Sequence, residues 1–440
     1  MNIPKSSIEK AKRLLSTVLD ETPLQYSRRL STKYDADIYL KREDLTMVRS
    51  FKIRGAYYKM SLLTPAQKKK GVVCASAGNH AQGVAYACTQ LKVKGVIYMP
   101  VTTPNQKVEK VKNFGGKYIE IKLYGNTFDE AKVEAFRYCT TQRATLIHPF
   151  DDVDVIAGQG TVAVEIESQF NRHCEERSDV AIPSSHSRDR HAYARDDSQI
   201  DYVICCVGGG GLISGVSSYF KHVSPATKVV GSEPEHADCL YQGLHAGHPV
   251  TLEKFDTFVD GAAVRTVGAN TLAIAKECVE SVVVCPVGLV CTSMIDLYQS
   301  EGIITEPAGA LAIAALELKK EQIKGKSVVC VVSGGNNDLL RYPEILEKSL
   351  VYRGLKHYFL IEFAQKPGQL RDFLNHALGK NDDIVLFEYL KKTNKERGSA
   401  LVGLELKNKE DLTPLLAKMD KIGLSYKKIT SDDLVFNLLV

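Results

Sequence analysis

The chain has 440 residues, enough for two or three domains rather than one compact core. It is 44% hydrophobic and 25% charged, as globular proteins are, and its net charge of +5 is spread over 57 basic and 52 acidic residues, which excludes a dense nucleic-acid-binding surface. No stretch approaches the ~20 apolar residues that cross a bilayer, and the eleven cysteines, mostly in apolar runs and without a Cys-x-x-Cys pair, read as reduced thiols. A cytoplasmic protein with neither nucleic-acid nor membrane partners is expected.

The N-terminus lacks the apolar core of a signal peptide. Ser6 or Ser7 is expected to cap a helix whose apolar stripe is Ile8, Ala11, Leu14, Leu15, Val18 and Leu19. From about 36 to 340 short β-branched runs alternate with helical segments. The runs are Val72–Ala75, Val93–Met99, Tyr118–Ile121, Tyr202–Val207, Lys228–Gly231, Val282–Val284 and Ser327–Val332. Between them lie helical patterns such as Gly55–Leu63, His80–Gln90, Pro104–Phe114, Thr127–Thr141, Gly160–Phe170 and Ala308–Leu318, and Lys68-Lys69-Lys70 reads as a solvated helix end. Such alternation predicts parallel sheets covered on both faces, with ligands at the carboxyl ends of the strands.

Residues 172–197 break this rhythm. They hold five arginines, six acids and three histidines with almost no apolar periodicity, and read as a surface insertion. Their His173, Cys174, His186 and His191 match no usual zinc spacing. From Lys356 onward the order becomes strand Tyr358–Phe363, helix Gly368–Leu378, strands Ile384–Leu390 and Ala400–Leu406, helix Lys409–Met419 and one or two terminal strands. That β-α-β-β-α-β order predicts a ferredoxin-like domain at 355–440 with a regulatory or assembly role, after a catalytic region at 1–350 whose smaller lobe spans about 45–150.

Four segments carry chemistry. Lys52, in Ser50-Phe51-Lys52-Ile53-Arg54-Gly55-Ala56, lies between apolar neighbours that favour its neutral, nucleophilic form. Ser76-Ala77-Gly78-Asn79-His80 follows a strand and opens a helix. Its amides suit a substrate carboxylate and Asn79 a phenolic oxygen, while simple capping by Ser76 or Asn79 is the bland alternative. Gly208-Gly209-Gly210-Gly211-Leu212 leaves amides free to converge on a phosphate at a helix N-terminus. Ser333, in Ser333-Gly334-Gly335-Asn336-Asn337, suits a ring nitrogen that a neutral hydroxyl would not hold protonated, which favours rapid loss of a β-leaving group. Together they predict a pocket for pyridoxal 5'-phosphate.

Ser50–Ala56, Ser76–Gly83, Gly208–Ser214, Glu306–Ala310 and Ser333–Asn336 resemble the motifs of threonine dehydratases, which belong to the tryptophan-synthase-β-like, fold type II pyridoxal-phosphate enzymes. The tail, with Lys366-Pro367-Gly368-Gln369-Leu370, Phe387-Glu388-Tyr389 and Leu401-Val402-Gly403, resembles the single ACT-like domain of the shorter biosynthetic enzymes. The resemblance implies a two-lobed α/β catalytic domain and a homotetramer. It implies that Lys52 forms the Schiff base and later removes the α-proton, that Asn79 contacts the cofactor oxygen, that Gly208–Leu212 bind the phosphate and that Ser333 partners the ring nitrogen. Ser76, Ala77, Gly78 and His80 would meet the substrate, L-threonine or L-serine. The product would be 2-oxobutanoate, the first committed step toward isoleucine, with isoleucine or valine as effectors at the tail.

Three departures qualify this. Related serine racemases carry a serine where this chain has Ala77, so racemisation is disfavoured. Cation-binding relatives use acids near Glu233–Ala237, and Cys239 stands where one such relative has an acid, so no metal is assigned. The 172–197 segment has no counterpart in the family pattern. A catabolic serine/threonine dehydratase and a degenerate amino-acid sensor are the competing readings.

Overall fold

The computed structural model describes residues 1–179, 199–389, 396–430 and 433–440. The chain divides into two units, Met1–Pro286 with Asp296–Asn337, and Val287–Ile295 with Asp338–Val440.

The first unit contains two sheets. The larger has six strands in the order Leu24–Tyr26, Asp37–Arg42, Ser327–Val332, Tyr202–Cys206, Lys228–Pro234, Ser281–Cys285. All pair in parallel except the Leu24–Tyr26 edge, which is antiparallel. The smaller is wholly parallel, in the order Ile119–Leu123, Gly95–Met99, Val72–Ala75, Thr145–Leu146. Val328 to Val332 are fully buried, as a continuous β-branched run requires of a strand covered on both faces. Cys74, Cys205, Cys206, Cys285 and Cys330 are buried free thiols, as their apolar surroundings led one to expect.

The second unit has an antiparallel sheet ordered Asp383–Tyr389, Arg397–Glu405, Lys356–Ala364, Ser425–Ile429, with helices Gln369–His376 and Leu412–Lys421. This is the ferredoxin-like arrangement, packed around Phe359, Phe363, Phe373, Val402, Leu415 and Met419. A single strand follows the second helix, and the chain then closes with the short helix Phe436–Leu439.

Several helix ends differ from expectation, among them the following two. The first helix is Lys5–Leu15 with Pro4 at its N-cap, so Ser6 and Ser7 lie inside it rather than capping it. The helix expected to stop at Phe170 is Val153–Asp179 and runs into the segment read as an insertion, because Glu175, Glu176 and Arg177 are good helix formers. The rest of that segment, with His186 and His191, lies outside the described residues. His173 Nε2 instead meets the backbone carbonyl of Leu24 at 3.0 Å.

The helix Lys52–Ser61 is tied to Val153–Asp179 by a buried charge cluster. Arg54 is 1% exposed and donates two hydrogen bonds to Glu43 (Nε and Nη2, both 2.8 Å) and two to Glu165 (Nη1 2.7 Å, Nη2 2.8 Å). Lys41 donates to Glu165 at 2.7 Å and to the Thr22 carbonyl at 2.6 Å, so two cations face two carboxylates. Burial works to raise the pKa of Glu165, but Arg54, Lys41 and Lys12 outweigh it and hold the carboxyl well below its usual range.

The same helices touch through glycine. A methyl group on Gly158 would lie 2.8 Å from the Cα of Gly55, and one on Gly215 would lie 2.6 Å from the backbone nitrogen of Gly160. The long helix thus contacts Lys52–Ser61 on one side and Gly211–Val223 on the other, backbone to backbone.

Replacing Arg54 by Met strands the buried Glu43 carboxylate and leaves Glu165 with only Lys41 and Lys12. We expect a loss of about 3–5 kcal/mol in chemical denaturation at neutral pH. Because the Glu165 pKa is depressed in the fold, its share of the stability is present at neutral pH and falls away as pH drops below the ordinary glutamate range, so Arg54→Met should show a flatter acid limb than the parent.

Candidate functional site

Three of the four sequence motifs emerge at carboxyl ends of parallel strands. Ser76–His80 follows Val72–Ala75, Gly208–Leu212 follows Tyr202–Cys206 and Ser333–Asn337 follows Ser327–Val332. Lys52 opens the helix Lys52–Ser61 rather than preceding it. Backbone contacts join this motif to the last one: Ser50 and Gly334 form an isolated antiparallel bridge, and the amide of Phe51 donates to the Ser333 carbonyl at 3.2 Å.

The Lys52 amine lies 5.1 Å from the centre of the Phe51 ring and donates to the carbonyl of Pro149 at 3.2 Å. Gln159 Nε2 donates to that same carbonyl at 3.3 Å. Burial pulls the lysine down to about 8, against the opposing pull of Cys206 and Glu306, so a sizeable neutral fraction exists near physiological pH.

The glycine turn is shaped by what surrounds it. Gly210 has φ +88°, a left-handed conformation that ordinary side chains avoid. A methyl group on Gly209 would sit 2.2 Å from the ring of Phe150, so the turn rests directly on that aromatic ring. Thr271 Oγ1 donates to the Gly209 carbonyl at 2.8 Å, and the helix Gly211–Val223 begins at the turn with Leu212 buried behind it. A close-packed turn of unsubstituted backbone at the start of a thirteen-residue helix is able to cradle an anion.

Asn79 is the first residue of Asn79–Leu91 and does not cap it; the N-cap is Gly78, where no side chain bonds the free amides. Neither bland capping alternative holds, since Ser76 Oγ accepts from the Gly78 amide at 3.2 Å and the Asn79 side chain is turned to Glu306 and Asn336. A methyl group on Gly78 would meet nothing within 4 Å, so the backbone here borders open space. Ala77 is half-buried beside it. His80 turns away: its Nε2 meets the Ile147 carbonyl at 2.8 Å, and burial together with the Lys52 charge holds it far down, at about 3, and neutral. Ser333 is buried and its hydroxyl donates to the Ala308 carbonyl at 3.2 Å.

Sequence reasoning quoted Glu306 and Asn336 as motif residues but gave them no part in the site, and it did not single out Pro149, Phe150 or Gln159. Glu306 is 5% exposed and accepts from Asn79 Nδ2 at 2.6 Å. Burial, reinforced by Asp260, pushes its carboxyl up to about 7. An acid immediately before Pro307 at a helix start was the available signal.

Near the acids discussed for cation-binding relatives, Glu233 is buried and accepts from the amides of Leu240 (2.8 Å) and Tyr241 (2.7 Å). Among the described residues no group of three or more His, Cys, Asp or Glu side chains is placed to hold a metal. Nor is any described helix long and apolar enough to cross a membrane.

Comparison with known proteins agrees with this geometry. Residues 15–334 match the family described as pyridoxal-phosphate dependent enzyme, and residues 347–439 match the C-terminal regulatory domain of threonine dehydratase. The biosynthetic L-threonine dehydratase IlvA of Bacillus subtilis is 49% identical over 433 residues, covering 98% of this chain and 96% of that one. Among solved structures, processed threonine deaminase isoform 2 from Solanum lycopersicum is 37% identical with a TM-score of 0.69, covering 78% of this chain and 93% of that one. Maize serine racemase is 28% identical with a TM-score of 0.68, covering 80% of this chain and 99% of that one. The buried amine and the glycine cradle fit an aldehyde cofactor with a phosphate tail, and the chain belongs to the pyridoxal-phosphate-dependent enzymes, in the biosynthetic threonine dehydratase family.

Proposed function

We propose that this chain deaminates L-threonine to 2-oxobutanoate and ammonia, with L-serine as a second substrate, and that Lys52 is the residue that carries the chemistry. The observation behind this is the buried Lys52 amine, its pKa lowered to about 8, bonded to the Pro149 carbonyl next to Phe150, on whose ring the glycine turn at the start of Gly211–Val223 rests. When bound, pyridoxal phosphate supplies an aldehyde that condenses with amines and a ring that spreads the negative charge left at Cα.

The chain's own residues would do the rest. The amides of Gly208–Gly211, with the positive end of the helix Gly211–Val223, hold the phosphate. Asn79 and Ser333 orient the ring. The Lys52 amine, which rests on the Pro149 carbonyl, would in its neutral form take the Cα proton. Ser76, Ala77 and Gly78 border the space where a substrate carboxylate would lie, and His80, bonded to Ile147, would act by holding that loop. The absence of a hydroxyl at Ala77 leaves no acid-base group there, which favours elimination over racemisation.

The C-terminal unit supports a regulatory reading, with isoleucine and valine as the candidate effectors and a homotetramer as the working assembly. Division into a catalytic region at 1–350 and a regulatory one at 355–440, a surface insertion at 172–197 and a cytoplasmic setting for the reduced thiols belong to the same proposal.

Purified protein given pyridoxal phosphate should show a visible absorbance band and produce 2-oxobutanoate from threonine; Lys52→Ala should lose the band and at least about a thousandfold in turnover. Borohydride labelling of any peptide other than the one holding Lys52 would sink the assignment. Cofactor uptake by the stripped protein should quicken as pH rises, with its midpoint at about 8, where half of the amine is neutral, and level off beyond it. Isoleucine should inhibit the full-length chain and not a chain ending near Tyr352; equal inhibition of both would remove the tail from the control of activity.

A further inference from the structure

Glu306 holds an acid in the interior without capping the helix it precedes, since no side-chain bond reaches the first turn of Pro307–Ile323. Its hydrogen-bond donors are instead the side chain of Asn79, at 2.6 Å, and the backbone amide of Asn336. Two glycines make room for it. A methyl group on Gly334 would stand 2.4 Å from Glu306 Oε1, and one on Gly261 would stand 3.1 Å away. A side chain at either place would displace the carboxylate.

The other end of Asn79 is fixed just as firmly. Asn336 Nδ2 donates to the Val48 carbonyl at 2.8 Å and to Asn79 Oδ1 at 2.8 Å. A carbonyl can only accept, so the atom of Asn336 facing Val48 is its nitrogen, and the oxygen of Asn79 must then face Asn336. That leaves Asn79 Nδ2 pointing at Glu306. One N–H of Nδ2 is spent on the carboxylate, and the second is left for a ligand.

We infer that Glu306 is a positioning residue that acts through Asn79: with Asn336 it locks the Asn79 amide so that one N–H is presented to the phenolic oxygen of the cofactor. This rests on the reading of the cleft as the pyridoxal-phosphate site. Glu306 itself need not touch substrate or cofactor. In its ionised form the acid fixes the amide more firmly than a neutral acceptor would, because a hydrogen bond to a charged acceptor is the stronger one.

A double-mutant cycle tests it. Full-length protein is stripped of cofactor and titrated with pyridoxal phosphate, reading both the dissociation constant and the position of the visible band. Glu306→Ala and Asn79→Ala should each weaken binding roughly tenfold or more and displace the band alike. The double variant should be within about twofold of Asn79→Ala alone, because the acid works only through the amide. Glu306→Gln keeps an acceptor and should stay within about threefold of the parent. If Glu306→Ala does not fold, Glu306→Gln with an undisplaced band and Asn336→Ala with a displaced one carry the test.

Losses that multiply in the double variant, a Glu306→Gln variant as impaired as Glu306→Ala, or an unmoved band in Asn336→Ala would overturn the inference. A parent protein that takes up no pyridoxal phosphate overturns the cofactor-site reading and this inference with it. A parent that binds normally beside an unaffected Glu306→Ala overturns this inference alone.

Discussion

Two ionised carboxylates packed together in a protein interior call for matching cations, and Arg54, Lys41 and Lys12 provide them for Glu43 and Glu165. The cluster joins a turn after the strand Asp37–Arg42, the helix that starts at Lys52 and the long helix Val153–Asp179. Arg54 is two residues beyond Lys52, so the guanidinium that neutralises the cluster also fixes where the reactive amine begins. Lys52 in turn reaches the Pro149 carbonyl, and the neighbouring Phe150 lies against the glycine turn.

Inside the cleft the same force acts in opposite directions on two groups. Burial lowers the Lys52 amine to about 8 and raises the Glu306 carboxyl to about 7. Removing water brings a base and an acid, normally about six pH units apart, to within reach of neutrality. The Glu306 charge also opposes the fall of the lysine pKa. Burial therefore shifts both groups toward neutrality, one from above and one from below.

Much of this architecture was legible in the sequence where information is local. The run Ser327–Val332 and the strand Val72–Ala75 are recognisable from β-branched and apolar residues alone, and the turns after them announce ligand-facing ends. Gly208–Gly211 could be read as an anion cradle because backbone amides need no distant partner. What stayed hidden depends on residues far apart in the chain. Glu306 meets Asn79 across 227 positions and Arg54 meets Glu165 across 111, separations for which periodicity carries no signal. The extension of the long helix past Phe170 was missed for a different reason: the compositional change at Arg172 coincides with no helix-breaking residue, so the backbone continues through it.

The glycine contacts flanking the long helix have a mechanical consequence. Where side chains separate two helices, a displacement can be taken up by rotamer changes in the intervening atoms. Between Gly55 and Gly158, and between Gly160 and Gly215, there are no such atoms. The helix that starts at Lys52 and the helix that follows the glycine turn are therefore both seated on the backbone of one shared beam, with no side chain at those points to take up a change in their spacing.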